Sequence, residues 1–324
     1  MTHAIRIHEH GGPDVMKWEA VDVGDPGDKE IRIRHTAIGL NYIDTYHRTG
    51  LYKIPLPSVI GREAAGVVEA VGSAVTDLKV GDRVAYAATP IGSYSEARLM
   101  AADRVVKIPD GVTDQQAASI MLKGITAQYL LKRTYPVKAG ETILFHAAAG
   151  GVGLILCQWA KHLGATVIGT VGSDEKGKLA SAHGCDHVIN YSTEDFVARV
   201  AEITGGKKCA VVYDGVGKDT FMKSLDCLRP RGMMALFGNA SGKVEPFDLG
   251  LLAAKGSLYI TRPTADTHIA TREDLVATTN DLFDVVARGI VKVEINQTYA
   301  LKDAAQSHRD LEARKTTGST VLLP

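Results

Sequence analysis

The sequence is short of cysteine, of net charge and of long apolar runs, and each shortage removes a class of protein. Its four cysteines, Cys157, Cys185, Cys209 and Cys227, lie far apart with no paired spacing. A disulfide frame or a structural zinc knuckle is therefore not expected. Lysine plus arginine number 37, and so do aspartate plus glutamate, which leaves no overall field to draw in nucleic acid or an anionic membrane. No basic stripe studded with aromatics is present to hold single-stranded RNA. The densest apolar stretches, Ile120-Met-Leu122 and Val152-Gly-Leu-Ile-Leu156, stop well short of the roughly 18 to 20 residues that span a bilayer. The opening Met1-Thr-His-Ala-Ile-Arg6 carries charge and histidine where a secretory signal places an apolar run. The expectation is a cytoplasmic protein with no membrane partner.

What is present is enough chain for about two domains. Up to about residue 110, short β-like runs alternate with turn residues: Ile31-Arg-Ile-Arg34, Gly66-Val-Val-Glu-Ala-Val71, Arg83-Val-Ala-Tyr86 and Val105-Val-Lys-Ile108. Around Gln115 to Leu131 the pattern lengthens to a helical period. From there β and α signals alternate, as they do when parallel strands are joined by crossover helices. The spacing predicts strands at Thr142–His146, Thr166–Val171, Val188–Tyr191, Ala210–Asp214 and Met233–Phe237. Beyond Arg262 it predicts a helix over Arg272–Ala287, a strand at Val291–Ile295, a helix near Lys302–Glu312 and a final strand from Thr320. The fold class is α/β: a doubly wound parallel sheet of the Rossmann type beside a compact β domain.

The turn after the first of these parallel strands carries the most information. It reads Ala148-x-Gly150-x-x-Gly153, the dinucleotide fingerprint with alanine in the first glycine's place, between a strand and an amphipathic helix. Gly150 lets backbone approach a pyrophosphate, Gly153 allows close helix–strand packing, and the amides at the helix start face the anion. Which dinucleotide binds is decided about 20 residues on, where an Asp or Glu would hold the ribose hydroxyls of NAD. Here Thr170-Val-Gly172-Ser173 offers no carboxylate at the strand tip, and Ser173 and Lys176 suit a 2′-phosphate. These residues favour NADP(H). The alternative is that Asp174 swings in to bind NAD.

Hydride transfer to a carbonyl is often assisted by zinc, which needs Cys, His or carboxylate ligands in the substrate domain. Every cysteine lies in the cofactor-binding half, and His3, His8, His10, His35 and His47 show no ligand spacing.

Over the loop, Gly140-Glu141-x-x-Leu144-x-x-x-Ala148-Ala-Gly150-Gly-x-Gly153, followed by Gln158 and Lys161, is longer than a bare glycine fingerprint. With Asn41-Tyr-Ile-Asp44-Thr-Tyr46, Gly50-Leu-Tyr52, Gly61-Arg-Glu63-Ala-Ala-Gly66, Gly81-Asp-Arg-Val84, Lys123-Gly-Ile-Thr126, Val212-Tyr-Asp-Gly-Val-Gly217 and Phe237-Gly-Asn239-Ala-Ser241, the chain resembles the medium-chain dehydrogenase/reductase superfamily. Within it, the similarity is to the zeta-crystallin-like quinone oxidoreductases along nearly the whole length. The resemblance implies a GroES-like, β-barrel-type domain over 1–124, a Rossmann NADPH-binding domain over 125–262, and a return segment, 263–324, packed on the first. It also implies a homodimer formed through Rossmann-domain edges. Zinc-dependent relatives carry Gly-His-Glu where this chain has Gly61-Arg62-Glu63, a cysteine near Asn41, and a four-cysteine lobe missing here. The departures imply a metal-free enzyme.

Carried over residue by residue, the resemblance places Asn41, Asp44 and Thr126 near the nicotinamide and Gly151 and Val152 against the pyrophosphate. It places Gly172, Ser173, Lys176 and Tyr191 around the adenosine end. Val216, Phe237, Gly238, Asn239 and Ser241 line the nicotinamide side, and Thr264 and Arg314 reach the cofactor from the return segment. Tyr46 and Tyr52 are candidates for shaping the acceptor pocket and donating a hydrogen bond, and with Asn41 they form the expected catalytic set. With NADPH alone to supply reducing power, the acceptor has to be electron-poor, as a quinone is, and positioning replaces acid catalysis. A reductase of activated alkenes such as enones uses the same parts, and an NADPH-binding structural or RNA-binding protein is the rival of a different class.

Overall fold

In a computed structural model, residues 2–324 are described. From the N-terminus the chain forms β1 (Thr2–Ile7), β2 (Met16–Val21), β3 (Glu30–Leu40), α1 (Tyr42–Thr49), β4 (Ser58–Val59), β5 (Glu63–Val71), β6 (Arg83–Ala87), β7 (Ala97–Ala101) and β8 (Val106–Lys107). Next come α2 (Asp114–Tyr129), β9 (Thr142–His146), α3 (Gly151–His162), β10 (Thr166–Val171), α4 (Asp174–Ala182), β11 (His187–Asn190) and α5 (Phe196–Ile203). Then follow β12 (Cys209–Asp214), α6 (Phe221–Ser224), β13 (Leu228–Leu236), α7 (Gly250–Ala254) and β14 (Tyr259–Thr261). The chain closes with α8 (Ala265–His268), α9 (Arg272–Ala287), β15 (Ile295–Ala300), α10 (Ala304–Glu312) and β16 (Ser319–Leu323). No helix among the described residues is long and apolar enough to cross a membrane.

The chain divides into two compact units. The first runs to Ile125 and takes back Ile269–Phe283 and Val293–Pro324; the second holds Thr126–His268 and Asp284–Lys292. The tail thus contributes to both, because the end of α9 and the turn after it join the second unit.

In the first unit a seven-stranded sheet runs β15-β16-β3-β5-β6-β8, with β7 also on β3. β3 is its spine. Its first half pairs with β7 and its last residues with β16, while β5 runs antiparallel along its length. Along β3 the inward positions Ile31, Ile33, His35 and Ala37 alternate with less buried ones, and the strand then becomes buried on both faces from Ala37 to Leu40. That switch from period two to continuous burial delivers the chain to the start of α1 inside the unit. The core is aliphatic, with Ile5, Ile7, Ile31, Ile33, Ile38 and Val84 at its centre.

The second unit is a six-stranded parallel sheet in the order β11-β10-β9-β12-β13-β14. Counted from β9 as one, that is 3-2-1-4-5-6, the dinucleotide-binding order, in which ligands bind beyond the carboxyl ends of the strands where the order reverses. β9 and β12 flank that reversal. Their side chains are buried on both faces, as expected for a covered parallel sheet.

The strand expected at Val291–Ile295 is displaced: β15 starts at Ile295 and runs to Ala300. It pairs only with β16 and alternates between half-buried and exposed. Its partner fixes the register, so the better alternation of Val291-Lys-Val-Glu-Ile295 misled the sequence reading. The helix expected to end at Leu131 holds α-geometry to Tyr129 and widens into a π-turn over Leu130–Thr134, where Tyr213 donates to the Leu130 carbonyl at 3.1 Å.

Candidate active site

In the second unit the expected cofactor residues gather at the carboxyl ends of the sheet. β9 ends at His146, Ala147 takes a left-handed φ of 59°, and Gly150 is the N-cap of α3 with no capping side chain. The first-turn amides of Gly151, Val152 and Gly153 are therefore left for an external anion, at the positive end of the helix dipole. A Cβ at Gly153 would stand 2.5 Å from the Ala148 carbonyl oxygen and 2.6 Å from that of Ala147. Backbone cannot yield as a side-chain tip can, so only glycine lets α3 close on the turn.

One strand over, β10 ends at Val171. A Cβ at Gly172 would lie 2.6 Å from the Tyr191 hydroxyl, so that ring sits directly against the turn. Ser173 caps α4, its hydroxyl oxygen accepting from the Lys176 amide at 3.3 Å. Tyr191 is exposed and Lys176 half-buried. Asp174, the alternative ribose-binding acid, is exposed and accepts from the Asn190 side chain at 2.8 Å through Oδ1.

The third and fourth groups follow β12 and β13. Val216 and Ser241 are tied, the Ser241 hydroxyl donating to the Val216 carbonyl at 2.9 Å and accepting from the Asp219 amide at 3.0 Å. Phe237 follows β13 and stacks obliquely on Phe145 of β9, with ring centres 5.7 Å apart. Gly238 and the buried Asn239 continue the same loop. Thr126 is buried within α2. Thr264 stands apart, exposed at the start of α8, with its hydroxyl 3.0 Å from that of Thr267.

In the first unit, Asn41, Asp44, Tyr46 and Tyr52 are brought together by α1. Asn41 is its N-cap, and the Asn41 backbone amide donates to Asp44 Oδ2 at 3.0 Å. The Tyr46 ring packs edge-on to Tyr42 and Tyr52, with centres 5.7 and 5.2 Å away. Arg314 lies elsewhere in this unit, exposed, with a left-handed φ of 59°, close enough to Tyr42 for its charge to be felt there.

Sequence reading missed the partners that hold this corner. The Asn41 side-chain amide donates to Glu63 Oε1 at 2.8 Å, Lys123 Nζ to the same oxygen at 2.5 Å, and the Leu122 amide to Oε2 at 2.6 Å. Glu63 is fully buried and Lys123 nearly so. Asp44 accepts a further bond from the Tyr94 hydroxyl at 3.0 Å; Tyr94 is 3.0 Å from His308 Nε2, and His308 Nδ1 is 2.8 Å from the Arg48 guanidinium. An arginine only donates, so His308 accepts at Nδ1 and carries its proton on Nε2, directed at the Tyr94 oxygen. Every donor in the chain then points toward Asp44. Arg48 is balanced at its other nitrogen by Glu312 at 2.7 Å. Burial, reinforced by the charge of Glu63, raises Asp44 to about 7, against the pull of Asn41, Tyr94 and Lys123. Its second oxygen is buried without a partner, which suits a carboxyl that keeps its proton. The Glu63–Lys123 pair was legible in part, since both residues fall in motifs quoted above. Tyr94 and His308, 214 residues apart, leave no local signal.

Among the described residues, no three or more His, Cys, Asp or Glu side chains converge in a group able to hold a metal ion.

Residues 27–110 match the family described as "Alcohol dehydrogenase GroES-like domain" and residues 151–274 the family described as "Zinc-binding dehydrogenase". A quinone oxidoreductase of Pseudomonas aeruginosa is 56% identical over 325 residues, covering all of both chains. The crystal structure of Escherichia coli quinone oxidoreductase complexed with NADPH superposes with a TM-score of 0.98 at 51% identity, also over all of both chains. A 2-haloacrylate reductase from a Burkholderia species is 50% identical, over all of this chain and 99% of its own. The chain belongs to the medium-chain dehydrogenase/reductase superfamily and, within it, to the quinone oxidoreductase family.

Proposed function

We propose that the protein is a zinc-independent reductase that passes reducing equivalents from NADPH to quinones. The observation that carries this reading is the uncapped start of α3 at the reversal of strand order, with Gly153 pressed against the preceding turn. That cradle fits a pyrophosphate, and the relative crystallised with NADPH supports the fit. Bound there, NADPH supplies the hydride equivalent for the reaction quinone + NADPH + H⁺ → hydroquinone + NADP⁺.

The protein's own residues bind, orient and exclude water. Amides of Gly151 and Val152 take the pyrophosphate. Lys176 supplies a cation and Ser173 and Tyr191 hydroxyl groups for the 2′-phosphate. Val216, Phe237, Gly238, Asn239 and Ser241 hold the nicotinamide side, with Thr126, Thr264 and Arg314 as further contacts. Asn41 and Asp44 stand at the reacting end, and Tyr46 and Tyr52 shape the acceptor pocket and offer a hydrogen bond to developing negative charge.

Zinc independence rests on the donor set. Both oxygens of Glu63 are taken by Asn41, Lys123 and the Leu122 amide, and Arg62, which only donates, stands in the chain where zinc-dependent relatives carry a histidine. A second reading, reduction of alkenes activated by a carboxylate or carbonyl, is supported by the 2-haloacrylate reductase relative. A homodimer through the edge strand β14 fits its single neighbour, β13, and its exposed Tyr259. Four free, buried thiols accord with a cytoplasmic site. The test is loss of NADPH absorbance with a panel of quinones, enones and haloacrylates. Turnover with quinones above the others supports the proposal; turnover with the alkenes alone transfers the activity to the second reading.

A further inference from the structure

Beneath the loops of the cradle runs a buried polar tie to which the proposed function gives no role. Asp214, the last residue of β12, is fully buried. Its Oδ1 accepts from the amides of Val216 at 2.8 Å and Gly217 at 3.0 Å, and its Oδ2 from the Thr220 hydroxyl at 2.7 Å. Its backbone carbonyl accepts from the Phe237 amide at 2.8 Å, with the Gly238 amide at 3.4 Å. One residue therefore holds the loop after β12 by its side chain and the loop after β13 by its main chain.

The tie continues sideways. The Ser224 hydroxyl is 2.9 Å from the Thr220 carbonyl, 3.4 Å from Asp214 Oδ2 and 2.8 Å from His146 Nε2. His146 Nδ1 is 2.9 Å from the Thr170 hydroxyl, and the Thr170 carbonyl accepts from the Ala148 amide of the glycine turn at 3.0 Å. The Ser224 hydroxyl thus lies within hydrogen-bonding reach of the Thr220 carbonyl, Asp214 Oδ2 and His146 Nε2 together, and links the carboxylate to the imidazole whichever ring nitrogen carries the proton. Every group is satisfied with the ring neutral, and burial pushes His146 the same way, below the ordinary histidine range, against the nearby Asp214 charge. The chain thus passes under β12, β9 and β10, three neighbours in the sheet, and ends in the turns that follow them.

We propose that Asp214, backed by Ser224 and His146, is a positioning residue that fixes the nicotinamide-side loops of the cofactor cradle without touching the ligand. The inference rests on the reading of this cradle as the NADPH site. A buried carboxylate is costly unless fully compensated. Here the compensation comes from the Thr220 hydroxyl and from the Val216 and Gly217 amides of a loop whose two glycines, Gly215 and Gly217, leave its backbone many shapes to choose from. Holding those amides before the ligand arrives lowers the ordering cost of binding.

The experiment titrates the parent protein and the variants Asp214→Ala, Asp214→Asn and Ser224→Ala with NADPH and, separately, with adenosine 2′,5′-bisphosphate, which lacks the nicotinamide half. Thermal unfolding of each unliganded variant is recorded alongside. Asp214→Ala should weaken NADPH roughly tenfold or more and leave the bisphosphate within about twofold, because only the nicotinamide-side loops relax. Asp214→Asn should fall between, its amide oxygen still accepting from Val216 and Gly217, and Ser224→Ala should cost roughly two- to threefold. Unchanged NADPH binding in folded Asp214→Asn and Ser224→Ala would overturn the proposal even if Asp214→Ala fails to fold. Equal weakening of both ligands would overturn it too, since a general loss of structure weakens both. A parent that binds neither ligand refutes the cofactor reading itself, and this inference with it.

Discussion

Around Asn41 the first unit buries two carboxyl groups, an ammonium and a guanidinium, whereas the floor of the cradle in the second unit buries one carboxylate answered by amides and hydroxyl groups. Glu63 faces Lys123 and Asp44 faces Tyr94, with His308 and Arg48 behind. Asp214 faces Val216, Gly217 and Thr220. The first arrangement depends on the balance of opposite charges. The second is neutral apart from one group and depends on backbone placement. The difference matches the tasks proposed for the two regions, since developing charge on an acceptor calls for tuned polar groups and a pyrophosphate calls for fixed amides.

The largest effect that would break this contrast is expected at Glu63. Glu63→Gln leaves the Lys123 ammonium buried against a neutral amide and should cost roughly 3 kcal/mol of unfolding free energy. Denaturant melts of parent and variant measure it, and an unchanged midpoint would mean that the corner does not rely on its charges. In the second unit the sensitive element is backbone approach, so Gly153→Ala should cost about 1–3 kcal/mol and weaken NADPH as α3 is pushed from the turn. Tolerance there would show a softer cradle than the 2.5 Å approach implies.

The pH response sharpens the comparison further. Burial lowers His35 to about 4 and His308 to about 3, and both lie in the first unit. The unfolded chain takes up protons on these rings below about 6.5 while the folded one does not, so they make stability fall as pH drops from 6.5 toward 4. Asp44, raised to about 7, works in the opposite direction. The folded state keeps its proton where the unfolded state has lost it, so its contribution is full at low pH and is lost as pH rises from about 4 to 7. Asp44→Asn removes that opposing contribution, and the loss of stability between pH 7 and 5 should steepen by up to about 1.4 kcal/mol per pH unit. A slope identical to the parent's would place Asp44 ionised in the fold.

Smaller effects are expected from single contacts. Lys176→Ala should weaken NADPH roughly tenfold and NADH hardly at all; equal weakening would make Lys176 an ordinary surface lysine. Tyr52→Phe keeps the ring beside Tyr46 and removes only the hydroxyl, so kcat with a quinone should drop by no more than roughly tenfold. No change at all would leave Tyr52 a packing residue.

Sequence reading succeeded where structure is local. Thr142–His146, Thr166–Val171 and Arg272–Ala287 are found with the bounds the patterns predict, because strongly apolar strands and a glycine turn leave few alternatives. It was blind to α1, whose buried residues Asp44, Thr45, His47 and Arg48 show no apolar stripe. A buried Arg48 becomes acceptable only when folding brings His308 and Glu312 to it from 260 and 264 residues away. Likewise His146 and Asp214 read as unremarkable strand ends until the sheet order sets β9 beside β12. The glycine cradle was legible because its function uses backbone. The polar corner was not, because its function uses partners distant in the chain.

The reading as a whole turns on whether the cradle between β9 and β12 holds a 2′-phosphorylated dinucleotide, and equilibrium titration of the unmodified protein with NADPH and with NADH asks this most directly. Binding of NADPH at least roughly tenfold tighter than NADH, the worth of one charge-assisted phosphate contact, is the predicted result. Equal affinity for the two, or binding of neither, would contradict it.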